Sequence, residues 1–202
     1  MPMPRLQRSP FLPISTTLIA GLMLASCGFN TIPAMDENAK AAWGEVENQY
    51  QRRADLIPNL VATVKGYAQQ EQDVLVGVTE ARARATQTTV SVDDLSDPQR
   101  VAAFGAAQDG LSSALSRLMV VVEKYPDLKS NENFLTLQSQ LEGTENRIAI
   151  ARRDYNDAVR AYNTEIRTFP SIVAAKTVYG SKPMEPFRAT TSGAENAPQV
   201  SF

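Results

Sequence analysis

Apolar side chains recur at alternating steps of three and four through the first long stretch of the chain. Only Arg53 and Glu71 break the apolar character of this series, which between residues 36 and 85 comprises Trp43, Val46, Tyr50, Arg53, Ile57, Leu60, Val64, Tyr67, Glu71, Val74, Val78 and Ala81. A heptad-like spacing of this kind lines one face of an α-helix. It predicts one helix over residues 36–85, with a kink near Ala54 because Pro58 removes a backbone hydrogen bond.

A second helix follows a loop at residues 86–96, which is rich in Thr, Ser and Asp. Asp97 and Pro98 supply an N-cap and a proline at the first helical position, so the helix begins there. The same spacing continues until Tyr125 and Pro126, where we expect the helix to stop. Its apolar positions are Val101, Phe104, Leu111, Leu115, Leu118 and Val122.

The third predicted helix begins after a cap at Ser130 or Asn131 and runs to about Thr168. Its apolar positions are Phe134, Leu137, Leu141, Ile148, Ala151, Tyr155, Ala158 and Tyr162. Residues 171–179 fit a short fourth helix that Gly180 closes, since glycine readily adopts the left-handed conformation at a helix end.

Strand signals are nearly absent, so the predicted fold class is all-α. We expect an elongated antiparallel bundle of three long helices with a short C-terminal helix, spanning residues 36–187. Residues 188–202 contain mainly Thr, Ser, Gly, Ala, Glu and Pro, and this composition predicts a flexible tail.

The first 26 residues have the order of a secretory signal peptide. Two arginines precede a mainly apolar run at residues 11–24, which is short and interrupted for a membrane span. The run ends in Leu24, Ala25, Ser26 and Cys27, which resembles the bacterial lipobox. In that motif the cysteine thiol receives a diacylglycerol, and residues 27–35 would form a lipidated tether. An ordinary leader and a retained signal anchor are the alternatives.

Lipidation would hold the chain at a membrane with its domain outside the cytoplasm. Two or three acyl chains make a durable anchor, whereas one gives reversible binding. The residue after the cysteine is Gly28, not the aspartate that commonly retains lipoproteins at the inner membrane, which favours the outer membrane.

Composition excludes several classes of function. The chain has no histidine and one cysteine, so Ser-His-Asp triads, Cys-His nucleophiles and the usual zinc sites are excluded. The formal net charge is −2 without a basic stripe, which argues against nucleic-acid binding. We therefore expect no catalytic residues, no metal and no cofactor.

Arg53 is the most unusual residue of the first helix, because a guanidinium on an apolar face needs a carboxylate partner. Glu145 is the partner that we expect. A functional interpretation is a polar cluster that faces a ligand or partner at the proline kink. A structural interpretation is a buried network that fixes helix register. The predicted cluster comprises Arg53, Asp55, Asn59, Glu145 and Asn146.

Several long blocks make the chain resemble the LemA family. They are residues 50–61 (YQRRADLIPNLV), 137–148 (LQSQLEGTENRI), 152–156 (RRDYN) and 167–171 (RTFPS). The resemblance covers residues 42–187 and implies a helical, envelope-associated bacterial protein whose biochemical role is unassigned. Relatives occur beside genes for envelope proteins such as a membrane metalloprotease. The family usually has an N-terminal transmembrane helix, and the lipobox departs from that pattern.

Two functions are therefore predicted from the sequence. The first is a lipid-anchored, non-enzymatic interaction or scaffold module for an envelope partner such as a membrane protease. The second is a ligand-binding protein or enzyme that uses the polar cluster near Pro58, which would require an open concavity there. A helix lying along the lipid is not favoured, because no helix face is basic enough.

Overall fold

A computed structural model describes residues 30–188, and this part is an all-α bundle without strands, as predicted. The helices are α1 Thr31–Lys65, α2 Gln72–Gln87, α3 Pro98–Val122, α4 Pro126–Lys129, α5 Glu132–Glu165 and α6 Ser171–Ala174. A 3-10 helix at Val92–Ser96 precedes α3, and α6 continues as a π-helical turn at Ala175–Tyr179.

The prediction of one helix over residues 36–85 is wrong. α1 ends at Lys65, the chain reverses, and α2 begins at Gln72. A single helix of that length would extend about 75 Å, and its second half would have nothing to pack on. Folding back buries Ala68 in the turn and Val78 in the core. Tyr67 leaves the apolar face and is 45% exposed.

The start of α1 also differs from the prediction, because helix begins at Thr31 and includes residues that we assigned to the tether. Pro33 is compatible with this start, since the N–H groups of a first helical turn have no partner inside the helix. Ile32 is buried against the core and stabilises the extra turn.

The caps of α3 and α5 are as predicted. The Asp97 side chain accepts hydrogen bonds from the N–H groups of Gln99 and Arg100, at 2.9 and 3.4 Å. The Asn131 side chain accepts from the N–H of Phe134 at 3.1 Å, which selects it over Ser130 as the cap. α3 and α5 each end three residues before the predicted boundary, at Val122 and Glu165.

The C-terminal helix is confirmed over residues 171–179, and Gly180 closes it with a φ of +58°. Only its first turn is α-helical. A residue with a Cβ is strained at such a φ, so glycine suits this position.

Four helices build two antiparallel pairs, with α1 against α5 and α2 against α3, while α2 also packs on α1. α1 and α5 have 35 and 34 residues, against 16 for α2. The core has two parts. A terminal cluster lies near the two ends of the described part, residues 30 and 188, and contains Ile32, Trp43, Phe104, Tyr155 and Phe187. A distal cluster lies at the α1–α2 turn and contains Leu60, Val78, Leu118 and Phe134.

Pro58 does not end α1, and α2 compensates for the hydrogen bond that proline removes. The carbonyl of Ala54 would accept from the N–H of residue 58, which proline lacks. Arg82 in α2 donates from its Nε to this carbonyl at 2.8 Å. The arginine therefore satisfies a buried acceptor and connects α2 to the middle of α1.

This exchange of donors predicts a strong coupling between positions 58 and 82. Arg82→Met should lower the free energy of unfolding by about 1–3 kcal/mol, because it leaves the Ala54 carbonyl unpaired. In the Pro58→Ala background the new N–H pairs with that carbonyl, so the same substitution should cost much less. Urea denaturation of the four variants measures the coupling. Arg84→Met, at an exposed position of the same helix, is the control. Strictly additive effects at positions 58 and 82 would contradict the compensation.

Candidate functional site

The Arg53 side chain is 1% exposed and is held by residues of two other helices. Its Nη1 donates to Glu145 Oε1 at 2.9 Å and to Ser112 Oγ at 2.8 Å. Its Nη2 donates to Gln108, to Oε1 at 2.8 Å and to the backbone carbonyl at 3.2 Å. The guanidinium thus joins α1, α3 and α5 in one layer, which we call the Arg53 layer.

Further contacts connect the Arg53 layer to α2 and to the core. Gln108 Nε2 donates to the carbonyl of Ala85 in α2 at 3.1 Å. The Arg53 Cζ lies 5.0 Å from the centroid of the Tyr50 ring, a distance typical of a cation–π contact. Among the described atoms, Arg53 Nε is buried without a hydrogen-bond partner. The layer separates the terminal cluster from the distal cluster, so a shift in helix register would break several bonds at once.

The structure places the predicted cluster residues in different environments. Arg53 and Glu145 are paired, as expected. Asp55, Asn59 and Asn146 are exposed, and Asp55 accepts instead from Gln51 Nε2 at 2.7 Å. Successive helical residues are turned by about 100°, so neighbours of a buried residue in the sequence face other directions.

Sequence reasoning missed Gln108 and Ser112. Gln108 carries a usable signal, because it lies between Phe104 and Leu111 at the spacing of the apolar face. A polar residue at such a position needs a buried partner.

This geometry favours the structural interpretation of the Arg53 layer. Arg53 cannot reach solvent, whereas Glu145 is 46% exposed on its outer side. A nearby cavity of about 80 Å³ is lined by Tyr50, Phe104 and Gln108, but not by Arg53. Within residues 30–188, the cavity nearest to this layer therefore does not reach the guanidinium.

A second arrangement lies on the C-terminal part of α5, where residues 182–188 run along the helix. We call these residues the C-terminal strap. Asn163 bonds the backbone of Met184 twice, accepting from its N–H at 2.9 Å and donating to its carbonyl at 2.8 Å. Asn156 bonds Phe187 in the same way, at 2.8 and 3.0 Å. Each asparagine therefore satisfies both backbone groups of one strap residue.

The strap also fills the terminal cluster with an aromatic side chain. The Phe187 ring stacks on Trp43 with a centroid distance of 5.4 Å and an interplanar angle of 15°. The Tyr155 ring contacts the Phe187 ring edge-on, with 5.7 Å between the centroids. The Arg152 Cζ lies 4.9 Å from the centroid of the Phe187 ring. The Tyr155 hydroxyl donates to the carbonyl of Glu185 at 2.9 Å, and burial raises its pKa above the usual value.

Two sequence signals could have located the strap. Asn156 and Asn163 both follow a tyrosine and are seven residues apart, which places them on one face of α5, about 10 Å apart. Pro183 and Pro186 favour an extended polyproline-like backbone, in which residues three apart repeat every ~9 Å. These two spacings match, and the prolines lack N–H groups that would need partners.

The asparagine pairs predict a local effect on stability. Asn156→Ala should destabilise the docked strap by about 1–3 kcal/mol, because both backbone groups of buried Phe187 lose their partner. Amide hydrogen exchange at Phe187 should accelerate accordingly. Asn146→Ala, on the same helix at an exposed position, should leave this exchange unchanged. Equal exchange in the two variants would contradict the role of Asn156.

The proposed lipidation residue, Cys27, and the rest of the lipobox, Leu24, Ala25 and Ser26, lie outside the described residues, as does the tail from residue 189 onward. Among residues 30–188, the helices are too short or too polar for any of them to cross a membrane.

Comparison with known proteins identifies the family. The model of the LemA family matches residues 42–202. Magnetosome protein MamQ 2 of Paramagnetospirillum magneticum is 29% identical over 158 residues, which are 70% of this chain and 58% of that protein. MamQ of Magnetospirillum gryphiswaldense is 27% identical over 193 residues, or 88% of this chain and 71% of that protein. Protein LemA of Metamycoplasma hominis is 27% identical over 118 residues, or 58% of this chain and 49% of its own length.

The chain thus spans less than two thirds of the first of these relatives, while the family model covers most of the chain. This chain belongs to the LemA family.

Proposed function

We propose that this protein is a lipid-anchored envelope protein whose helical bundle is a non-enzymatic interaction or scaffold module. The observation that carries the proposal is the position of its single cysteine. Cys27 ends a lipobox-like sequence and lies four residues before α1. A lipid at this position would hold the bundle directly at a membrane, because almost no linker separates the two.

The Arg53 layer supports the non-enzymatic part of the proposal. Both terminal nitrogens of its guanidinium are bonded, to Glu145, Ser112 and Gln108, and the unpaired Nε is buried, so no part of the group is accessible to a substrate. The whole sequence also lacks histidine. A ligand-binding or catalytic role for the cluster therefore has less support than a role in fixing the helices.

A partner protein in the envelope, such as a membrane protease, is the second part of the proposal. Three relatives are named as magnetosome proteins, and this name is compatible with a protein that works together with partner proteins. Long exposed faces of α1 and α5 would be available to such a partner. The partner would occupy the same membrane, since the bundle would lie within a few residues of the anchor.

Metabolic labelling with a fatty-acid analogue tests the anchor. We expect the wild-type chain to carry the label and Cys27→Ala to lose it, because the thiol accepts the lipid. Ser26→Ala keeps a small residue before the cysteine and should retain the label. An unlabelled wild-type chain would refute the anchor.

In-cell crosslinking of the native chain, followed by mass spectrometry, tests the partner. We expect a reproducible envelope protein that is captured by wild type and lost in Cys27→Ala. Arg52→Ala, which alters an exposed face but keeps the anchor, should show whether that face of α1 contributes. Failure to capture any envelope protein across growth conditions would contradict the interaction role.

A further inference from the structure

Exposed apolar side chains concentrate in the short segment that follows α5. Phe169 is 84% exposed, and Val173 and Val178 are 56% and 57% exposed. All three lie within residues 169–179, which we call the end segment. Burying such side chains in an apolar phase is favourable, so this concentration indicates a surface that something covers.

The end segment lies beside the start of α1. Since α1 and α5 are antiparallel, the C-terminal end of α5 meets the N-terminal end of α1. Ile32 and Pro33 in the first turn of α1 line a cavity together with Tyr179 and Gly180. The exposed apolar residues therefore share one end of the bundle with the first residues of α1.

Chain length places the proposed lipid close to this end. Cys27 precedes Thr31 by four residues, and four extended residues span at most about 14 Å. A lipid on Cys27 would hold the membrane surface within that distance of α1. A partner protein at the end segment would have to fit between the bundle and the membrane surface. With a lipid on Cys27, the membrane itself would already lie next to this segment.

Charges around the end segment are compatible with a lipid surface. Arg167, Lys176 and Lys182 are cationic residues in or next to it, and the nearby acid Glu165 accepts a hydrogen bond from Ser171 within it. The acids at the start of α1, Asp36 and Glu37, are both paired with Lys40, at 2.6 and 3.6 Å. Cationic side chains next to apolar ones are typical of proteins that rest in the headgroup region.

We propose that the end segment is a membrane-contact surface, with Phe169 and Val173 inserted at the boundary between headgroups and acyl chains. The bundle then stands on the lipid with its distal cluster pointing away. The inference rests on the proposed lipid anchor, and it adds a second contact that fixes the orientation of the bundle. It differs from a helix that lies flat on the membrane, because only one end of the bundle makes the contact.

Tryptophan reporters in the full, lipidated chain test this orientation. Phe169→Trp places an indole at the end segment, and Leu135→Trp places one about 45 Å further along α5. Leu135 is 48% exposed, so both positions tolerate the change, and the buried Trp43 gives the same background in each. The proteins are reconstituted in phosphatidylcholine–phosphatidylglycerol vesicles with brominated or unmodified acyl chains.

We expect brominated lipid to quench the Phe169→Trp emission strongly and to leave the Leu135→Trp emission unchanged. Equal quenching at both positions would overturn the upright orientation. A blue-shifted but unquenched Phe169→Trp would mean that protein covers the segment, which also overturns the proposal. If Cys27 carries lipid and neither reporter is quenched, the contact surface is wrong and the anchor stands. If wild type carries no lipid and leaves the vesicles, the anchor and this inference fail together.

Discussion

Arg53→Ala should lower the free energy of unfolding by about 3–5 kcal/mol, because removing one member of a buried charged network leaves its partners without compensation. Gln108 is buried and loses the donor to its Oε1. The truncation also leaves a cavity between the terminal and distal clusters. Urea denaturation, with the slope checked for two-state behaviour, measures the loss.

Substitution of Glu145, the other member of the ion pair, should lower the free energy of unfolding by less. Glu145→Gln keeps an oxygen that can accept from Arg53 Nη1 but removes the charge that balances the buried guanidinium, so it should cost about 1–3 kcal/mol, less than Arg53→Ala. Arg52→Ala, the exposed neighbour of Arg53, is the matched control and should be nearly neutral. Similar losses for Arg52→Ala and Arg53→Ala would contradict the assignment of the Arg53 layer as a structural network.

Phe187→Ala should destabilise the docked strap by about 3 kcal/mol, which lies within the usual range for removing a buried phenylalanine side chain. The ring stacks on Trp43 and closes the terminal cluster from outside. Its loss should release residues 182–188 while most of the bundle stays folded. Amide exchange at Met184 and Phe187 should therefore rise together.

Trp43 provides an independent measurement, since it is the sole tryptophan of the chain. Without the Phe187 ring its indole is open to water, and its emission should shift to longer wavelength. Phe169→Ala removes an exposed ring of the same type and should change neither signal. Unchanged Trp43 emission in Phe187→Ala would show that the strap does not depend on this stacking.

The sequence alone determined the helical class and several of its ends. Apolar spacing predicted α3 and α5, and Asp97, Asn131 and Gly180 ended or capped helices where expected. These features are local, because caps and periodicity depend on residues within a few positions of each other. The Arg53–Glu145 pair was also predictable, since a cation on an apolar face requires an anion from a neighbouring helix.

Only the tertiary structure decided where the first helix folds back. The spacing of three and four continues across the turn between α1 and α2, so periodicity cannot distinguish a turn from a continuous helix there. Packing does distinguish them, because the second half of a continuous helix would have no partner. The same argument applies to Gln108 and to the strap. Gln108 lies 55 residues from its partner Arg53, and Asn156 lies 31 residues from its partner Phe187 in the strap. Whether these residues meet depends on helix register and on the path of the chain.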